Sequence, residues 1–239
     1  MTTPSKSSAK QVTVFQVNGE KVVVRTKRNR RARRMTLRID AANDCAVLVL
    51  PSRASFAEGI DFARSKAPWV KEKLKSLPPR LPFAPGETLR VKGRLLTIRY
   101  DNRVGPRALR DGDILRVGGD PDRVRERVIH WLRECARCAI TKRVEAQAAQ
   151  INKKFRRVTL RDSRTRWGSC STLGNLSFSW RLIMAPVEVM DYVVSHEVAH
   201  LAQMNHGPRF WKLVDELVPH SPRAREWLGH YGTALLRQG

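Results

Sequence analysis

The residues most able to do chemistry are His196-Glu197-Val198-Ala199-His200, followed after five residues by His206. Two histidines four residues apart on a helix lie about 40° apart around its axis, so both imidazoles can reach one metal ion. The glutamate beside the first histidine is then placed to hold a water on that metal and take its proton. His206 cannot join them on a continuous helix, because it would lie roughly 120° away from His200. The string Asn205-His206-Gly207-Pro208 supplies a break. Asn205 tolerates left-handed geometry, glycine follows, and proline can open a new helix. At that turn His206 can swing back to complete a three-nitrogen site with an open position, which suits one catalytic Zn²⁺ with Glu197 as general base.

The helix that carries this string runs on from Pro186. Val187, Val189, Met190, Tyr192, Val193, Val194, Val198, Leu201 and Ala202 recur three and four apart, an apolar pattern that marks a buried helix. Pro186 suits a first helical turn and Glu188 suits the positive end of the dipole. A glutamate and two histidines inside such a helix are costly unless something pairs with them, and a bound cation supplies that partner. The remaining histidines, His130, His220 and His230, lie in arginine-rich or C-terminal stretches and are expected to be surface or packing residues. Cys135 and Cys138 form a CxxC without a second pair, which reads as ordinary helix positions and not as a redox or zinc site.

Lys and Arg number 46 against 22 Asp and Glu, a net charge of +24 over 239 residues. The densest run, Arg25 to Arg34, holds seven basic residues in ten. Such a surface attracts polyanions, so nucleic acid or nucleotides are candidate partners beside a peptide or protein substrate. Sparse aromatic residues in these runs leave an arginine-rich soluble surface as the equal alternative. No window approaches the roughly 20 apolar residues of a membrane span, and the start Met1-Thr2-Thr3-Pro4-Ser5-Lys6 lacks a secretory apolar run. With four cysteines in no framework spacing, the expectation is a cytoplasmic protein with no membrane partner.

The elements around the motif divide the chain. Residues 1–10 are expected to be disordered, 11–85 to form a β-rich region with helices, 86–120 a short-strand segment and 121–239 the catalytic core. Val12 to Val24 suggests a hairpin turning at Asn18-Gly19. Met35 to Ile39 and Ala46 to Leu50 suggest a second pair of strands. Ser55 and Glu58 offer a capping box for a helix running toward Leu77, bent or restarted at Pro68. Strands are expected near Thr88–Val91, Leu95–Tyr100 and Ile114–Val117, a long helix from Pro121 to about Lys154, and a strand from Val158. No internal repeat is read. Between that strand and the metal helix, Arg164 to Ser171 and Leu176 to Trp180, joined by a turn around Gly174-Asn175, suggest a hairpin along the active-site cleft. Its exposed edge would suit an extended peptide, with Arg166, Ser169 and Asn175 as substrate-binding candidates and Trp167 and Trp180 as packing residues.

Several strings together resemble a known family. Arg30-Arg31-Ala32-Arg33-Arg34-Met35-Thr36-Leu37-Arg38-Ile39, Thr165-Arg166-Trp167-Gly168-Ser169-Cys170, Trp180-Arg181-Leu182, Val194 to Leu201 and Asn205 to Trp211 are similar to the YgjP-like metallopeptidase family. More distantly, the layout resembles SprT-like and WLM proteases. The resemblance implies an α+β protein with a zincin-like core, its HExxH helix packed near a small sheet. It also implies His196, His200 and His206 as ligands and Glu197 as base. Gln203 stands where metzincins have glycine, so their turn is not expected.

These readings point first to a soluble zinc-dependent metallohydrolase, a metallopeptidase. Surplus arginine makes a metal-dependent nucleotide phosphohydrolase (a pyrophosphatase) the alternative, although no GxxxxGK[ST] loop or Mg²⁺-type carboxylate cluster is present. A nucleic-acid-associated protein with a structural metal is the third reading.

Overall fold

A computed structural model describes residues 11–17, 19–163 and 165–239. The stretch 1–10, Asn18 of the first expected turn, and Arg164 lie outside the described residues. Packing divides the chain between Pro78 and Pro79 into two compact units.

In the first unit, β1 (Gln11–Val17) and β2 (Glu20–Arg28) form an antiparallel hairpin. A second hairpin joins β3 (Thr36–Asp40) to β4 (Cys45–Leu50), and β2 pairs with β4 in parallel, giving the order β1-β2-β4-β3. Helices α1 (Phe56–Ser65) and α2 (Ala67–Lys75) follow. The expected capping box is formed: Glu58 N–H donates to Ser55 Oγ at 3.1 Å, and Ser55 N–H to Glu58 Oε2 at 2.8 Å. Phe15, Val22, Val24, Ala46, Leu48 and Leu50 line one sheet face and meet Ala63, Ala67 and Val70 of the helices.

The second unit opens with β5 (Thr88–Val91), β6 (Arg94–Tyr100), β7 (Ala108–Asp111) and β8 (Ile114–Val117) in the order β5-β6-β8-β7. The pairing senses are those of the first sheet, antiparallel, parallel and antiparallel. The fold therefore contains the same four-stranded motif twice, a repeat absent from the sequence reading. In register, Val17, Gly19 and Arg25 correspond to Val91, Gly93 and Arg99, and both glycines sit at positive φ, 77° and 81°. Those three are the only identities across the eleven positions from Phe15/Leu89 to Arg25/Arg99. Strand β7 was also unforeseen, since Ala-Leu-Arg-Asp carries no clean alternation.

Helix α3 (Val124–Gln150) comes next. Val124, Val128, Leu132, Ala136, Ile140, Val144 and Ala148 are buried at a strict spacing of four. Each step of four advances about 40° around the helix, so the buried stripe winds around the axis instead of running along it. Its partners change accordingly, and they include β7, β8, β9, the Trp180–Met184 3₁₀ turn and the histidine helix.

Strands β9 (Arg157–Arg161), β10 (Gly168–Cys170) and β11 (Asn175–Ser179) form a small sheet ordered β10-β11-β9. The 3₁₀ turn Trp180–Met184 leads to α4 (Val187–Ala199), α5 (Pro208–Leu217) and α6 (Ser221–Leu236). As expected for this α+β arrangement, α4 packs against the small sheet through β10, and also against α3, α5 and α6. An Arg143–Asp191 ion pair joins α3 to α4. Among the described residues, no helix is long and apolar enough to cross a membrane.

Arg181 ties this unit together. It is 6% exposed, stacks 4.5 Å over Trp180, and donates to Asp162 at 3.0 Å and to the carbonyls of Leu235 and Gln238. Arg181→Ala leaves those carbonyls without their donor and is expected to cost about 3 kcal/mol in urea unfolding. Exposed Arg90→Ala should change stability by less than about 0.5 kcal/mol in the same experiment.

Candidate metal centre

Helix α4 ends where the site begins. Ala199 is its last residue and His200 its cap, with φ −65° and ψ −17°. The chain then tightens through Leu201 N–H to Val198 O and Ala202 N–H to Ala199 O, i to i−3 bonds that close the last turn. The break therefore falls earlier than the sequence reading placed it. It also needs no left-handed residue, because neither Asn205 nor any other position between His200 and Pro208 has positive φ. Gly207 caps α5 in an extended conformation and Pro208 opens that helix.

This path brings the three histidines together. Candidate ligand atoms of His196, His200 and His206 all lie within 4.8 Å of one another, and Nε2 of His206 is 3.1 Å from Nε2 of His196. His200 Nδ1 is 3.0 Å from the Gln203 carbonyl, which selects the Nδ1–H tautomer and leaves the Nε2 lone pair free. Buried Phe210 forms the floor, its ring centroid 4.9, 4.5 and 4.7 Å from those of His196, His200 and His206. Trp211 stacks on His206 at 5.7 Å, and the Arg225 guanidinium lies 5.0 Å over the Trp211 ring.

The charges suit a cation. Burial lowers His196 to about 4, helped by His200, His206 and Arg225. Burial also lowers His200. Both are therefore neutral near pH 7 and offer lone pairs, the state a metal requires. Nitrogens around a tetrahedral zinc, at bonds of about 2.0–2.1 Å, stand about 3.4 Å apart. The donor set, its tautomer and its spacing fit such an ion.

Glu197 points to the other neighbour of α4. It is 6% exposed, and burial pushes its carboxyl up to about 7 against the opposing pull of Arg166. Gly168 of β10 makes room for it. A Cβ at Gly168 would stand 2.5 Å from Glu197 Cγ and 2.6 Å from Oε1, closer than real side chains allow. The sequence reading did not single out this glycine. Cys170, two residues on and thus on the same face of the strand, is held up to about 11 by burial and then by Glu197.

Strand β10 is an edge strand. Ser179 N–H donates to Trp167 O at 2.8 Å and Ser171 N–H to Asn175 O at 3.0 Å, so residues 167, 169 and 171 turn their backbone groups toward β11. Gly168 and Cys170 turn theirs to the open edge. The three candidate substrate residues part company here. Arg166 is exposed and close enough to act on Glu197. Ser169 alternates to the face opposite Gly168. Asn175 donates to Ser171 Oγ within the hairpin turn. His130, His220 and His230 stand apart from the cluster, and Cys135 and Cys138 are free thiols on α3.

The YgjP-like metallopeptidase domain matches residues 33–231. The chain belongs to the YgjP-like metallopeptidase family. No curated protein sequence matches it. The crystal structure of the metallopeptidase zymogen of Pyrococcus abyssi abylysin is similar over 41% of this chain and 97% of its own, at 23% identity and a TM-score of 0.36. A catalytic metal is thus implied for this YgjP-like domain, and three histidines are present that could bind one.

Gly168→Ala tests the close approach. The added methyl displaces the Glu197 carboxylate while leaving the imidazoles in place. Metal content by elemental analysis should be unchanged and kcat for peptide hydrolysis should fall about 10²-fold. Full activity in a folded Gly168→Ala protein would refute this role for the glycine.

Proposed function

We propose that this member of the family is a zinc-dependent peptidase in which His196, His200 and His206 hold one ion and Glu197 is the general base. The observation that carries this reading is the convergence of three imidazoles beside a buried carboxylate, next to an open strand edge. When bound, zinc supplies Lewis acidity to the scissile carbonyl and makes water acidic enough to attack near neutral pH.

The chain's own residues do the rest. An extended substrate pairs its main chain with the outward N–H and C=O groups of Gly168 and Cys170, which accept many sequences because they read backbone. Glu197 takes one proton from the attacking water and passes it to the leaving amine as the C–N bond breaks. Burial raises the carboxyl of Glu197, which favours its taking up that proton. Phe210 and the Trp211–His206 stack support the imidazoles from behind. Arg166 is the available cation for charge developing on the carbonyl oxygen.

Two substitutions separate the roles. Glu197→Gln should retain stoichiometric zinc yet lose about 10²–10⁴-fold in kcat on an unfolded protein substrate. His206→Ala should instead lower metal content on dialysis, with activity falling in step. Unchanged turnover by Glu197→Gln would sink the mechanism. Hydrolysis of nucleoside triphosphates without cleavage of protein would replace the peptidase by a phosphohydrolase.

A further inference from the structure

The two copies of the four-stranded motif differ in one respect. On the face of the first sheet turned away from α1 and α2, β2 presents Lys21, Arg25 and Lys27, and β3 presents Arg38. Arg25 and Arg38 flank Val47, being paired with it from either side. At the end of β2 the chain continues into an exposed loop with Arg30, Arg31, Arg33 and Arg34. None of these cations has an ion-pair partner among the described residues. The one carboxylate on this face among those residues, Asp40, is buried and accepts from Asn43 at 2.7 Å.

The second copy is an internal control. By register, Lys21, Arg25, Lys27 and Arg38 correspond to Leu95, Arg99, Asp101 and Leu109. Asp101 pairs with Arg103 at 2.9 Å and with Arg116 at 3.2 Å, and Asp111 pairs with Arg116 at 2.8 Å. The loop matching the arginine-rich one holds Arg103, tied to Asp101, and Arg107, tied to the Val104 carbonyl. A composition rich in arginine throughout would load both copies alike. Instead, acids of the second copy hold Arg103 and Arg116, whereas among the described residues no acid pairs with the cations on this face and loop of the first.

We propose that the first unit is a nucleic-acid-binding module that holds the phosphate backbone of a duplex against this sheet face and loop. Cations on alternate strand positions stand about 6.7 Å apart along β2, and those on β2 and β3 are about 10 Å apart across β4, an array that spans several phosphates. Phe15, the only aromatic residue of the four strands, lies on the opposite, helix-facing side. Without a stacking platform the face does not suit single strands. Contacts from these cations to phosphates carry no sequence information, so the proposed binding is independent of sequence and strongly salt-dependent.

The test is fluorescence anisotropy of the full chain with a labelled duplex DNA across about 50–200 mM salt. Two non-overlapping variants are compared, R30Q/R31Q/R33Q/R34Q and R25Q/K27Q/R38Q. A control, R90Q/R94Q/R99Q/R110Q, removes four exposed arginines from the second copy. Circular dichroism and thermal melting establish that each is folded. Each first-unit variant should weaken binding at least about tenfold, and loss of the four loop arginines should flatten the log–log salt slope by about 3–4. The control should stay within about threefold of the parent. Equal losses in the control would reduce the effect to bulk charge and overturn the proposal. So would absence of duplex binding at low salt, tighter binding to the single strand, or preference for phosphatidylglycerol vesicles. Because the readout is binding and not turnover, the outcome is independent of the peptidase reading.

Discussion

A carboxylate buried beside three imidazoles is the constraint on which the catalytic unit is built. Glu197 sits in the last turn of a helix whose other sides are occupied by Val189, Met190, Val193, Val194 and Val198, and it has to be taken out of water without a fixed cationic partner. Desolvation holds it near neutrality and keeps His196 and His200 uncharged. The same environment that makes each group costly to bury makes the cluster receptive to a cation, since a metal offsets several penalties at once. Other features serve this arrangement: β10 gives up a side chain at Gly168, α5 supplies Phe210 as a floor, and α6 braces Trp211 through Arg225.

How much of this was legible depended on whether the information was local. The His196–Glu197–His200 spacing, the return of His206 and the capping box at Ser55 each depend on residues a turn or two apart, and their helical elements form where expected. The small sheet beside the helix was expected from the family resemblance and not from local spacing, since β9 pairs with β11 in parallel with β10 between them in sequence. Gly168 was not, because its meaning lies in Glu197, a residue 29 positions away in sequence that reaches it only across two packed elements. The turn after His200 was read as a left-handed asparagine stop, whereas the last helical turn tightens into i to i−3 bonds and exits without one. Ser169 and Asn175 were chosen for polarity. Strand alternation and the hairpin turn, which polarity does not reveal, decide where they point.

The repeat shows the same limit from another side. Hairpins tolerate almost any alternating apolar residues, so two copies keep topology and register while sharing little beyond a valine, a turn glycine and an arginine. What has diverged is the solvent face. In one copy Asp101 and Asp111 hold Arg103 and Arg116, while in the other the strand and loop cations have no ion-pair partner among the described residues. Topology here is a property of the inner face, and charge of the outer one, and the two have drifted separately.

The winding stripe on α3 makes that helix a ruler. Its apolar stripe advances around the axis, and its partners include β8, the 3₁₀ turn and α4, so each contact depends on the count of residues before it. Removing one residue midway would rotate everything downstream by about 100° and shift it about 1.5 Å, turning Ile140, Val144 and Ala148 out of register with the histidine helix. A point substitution in α3 can be absorbed by repacking, but a change of length cannot. Helix length, which no catalytic residue specifies, thereby becomes as fixed a property of this enzyme as its ligands.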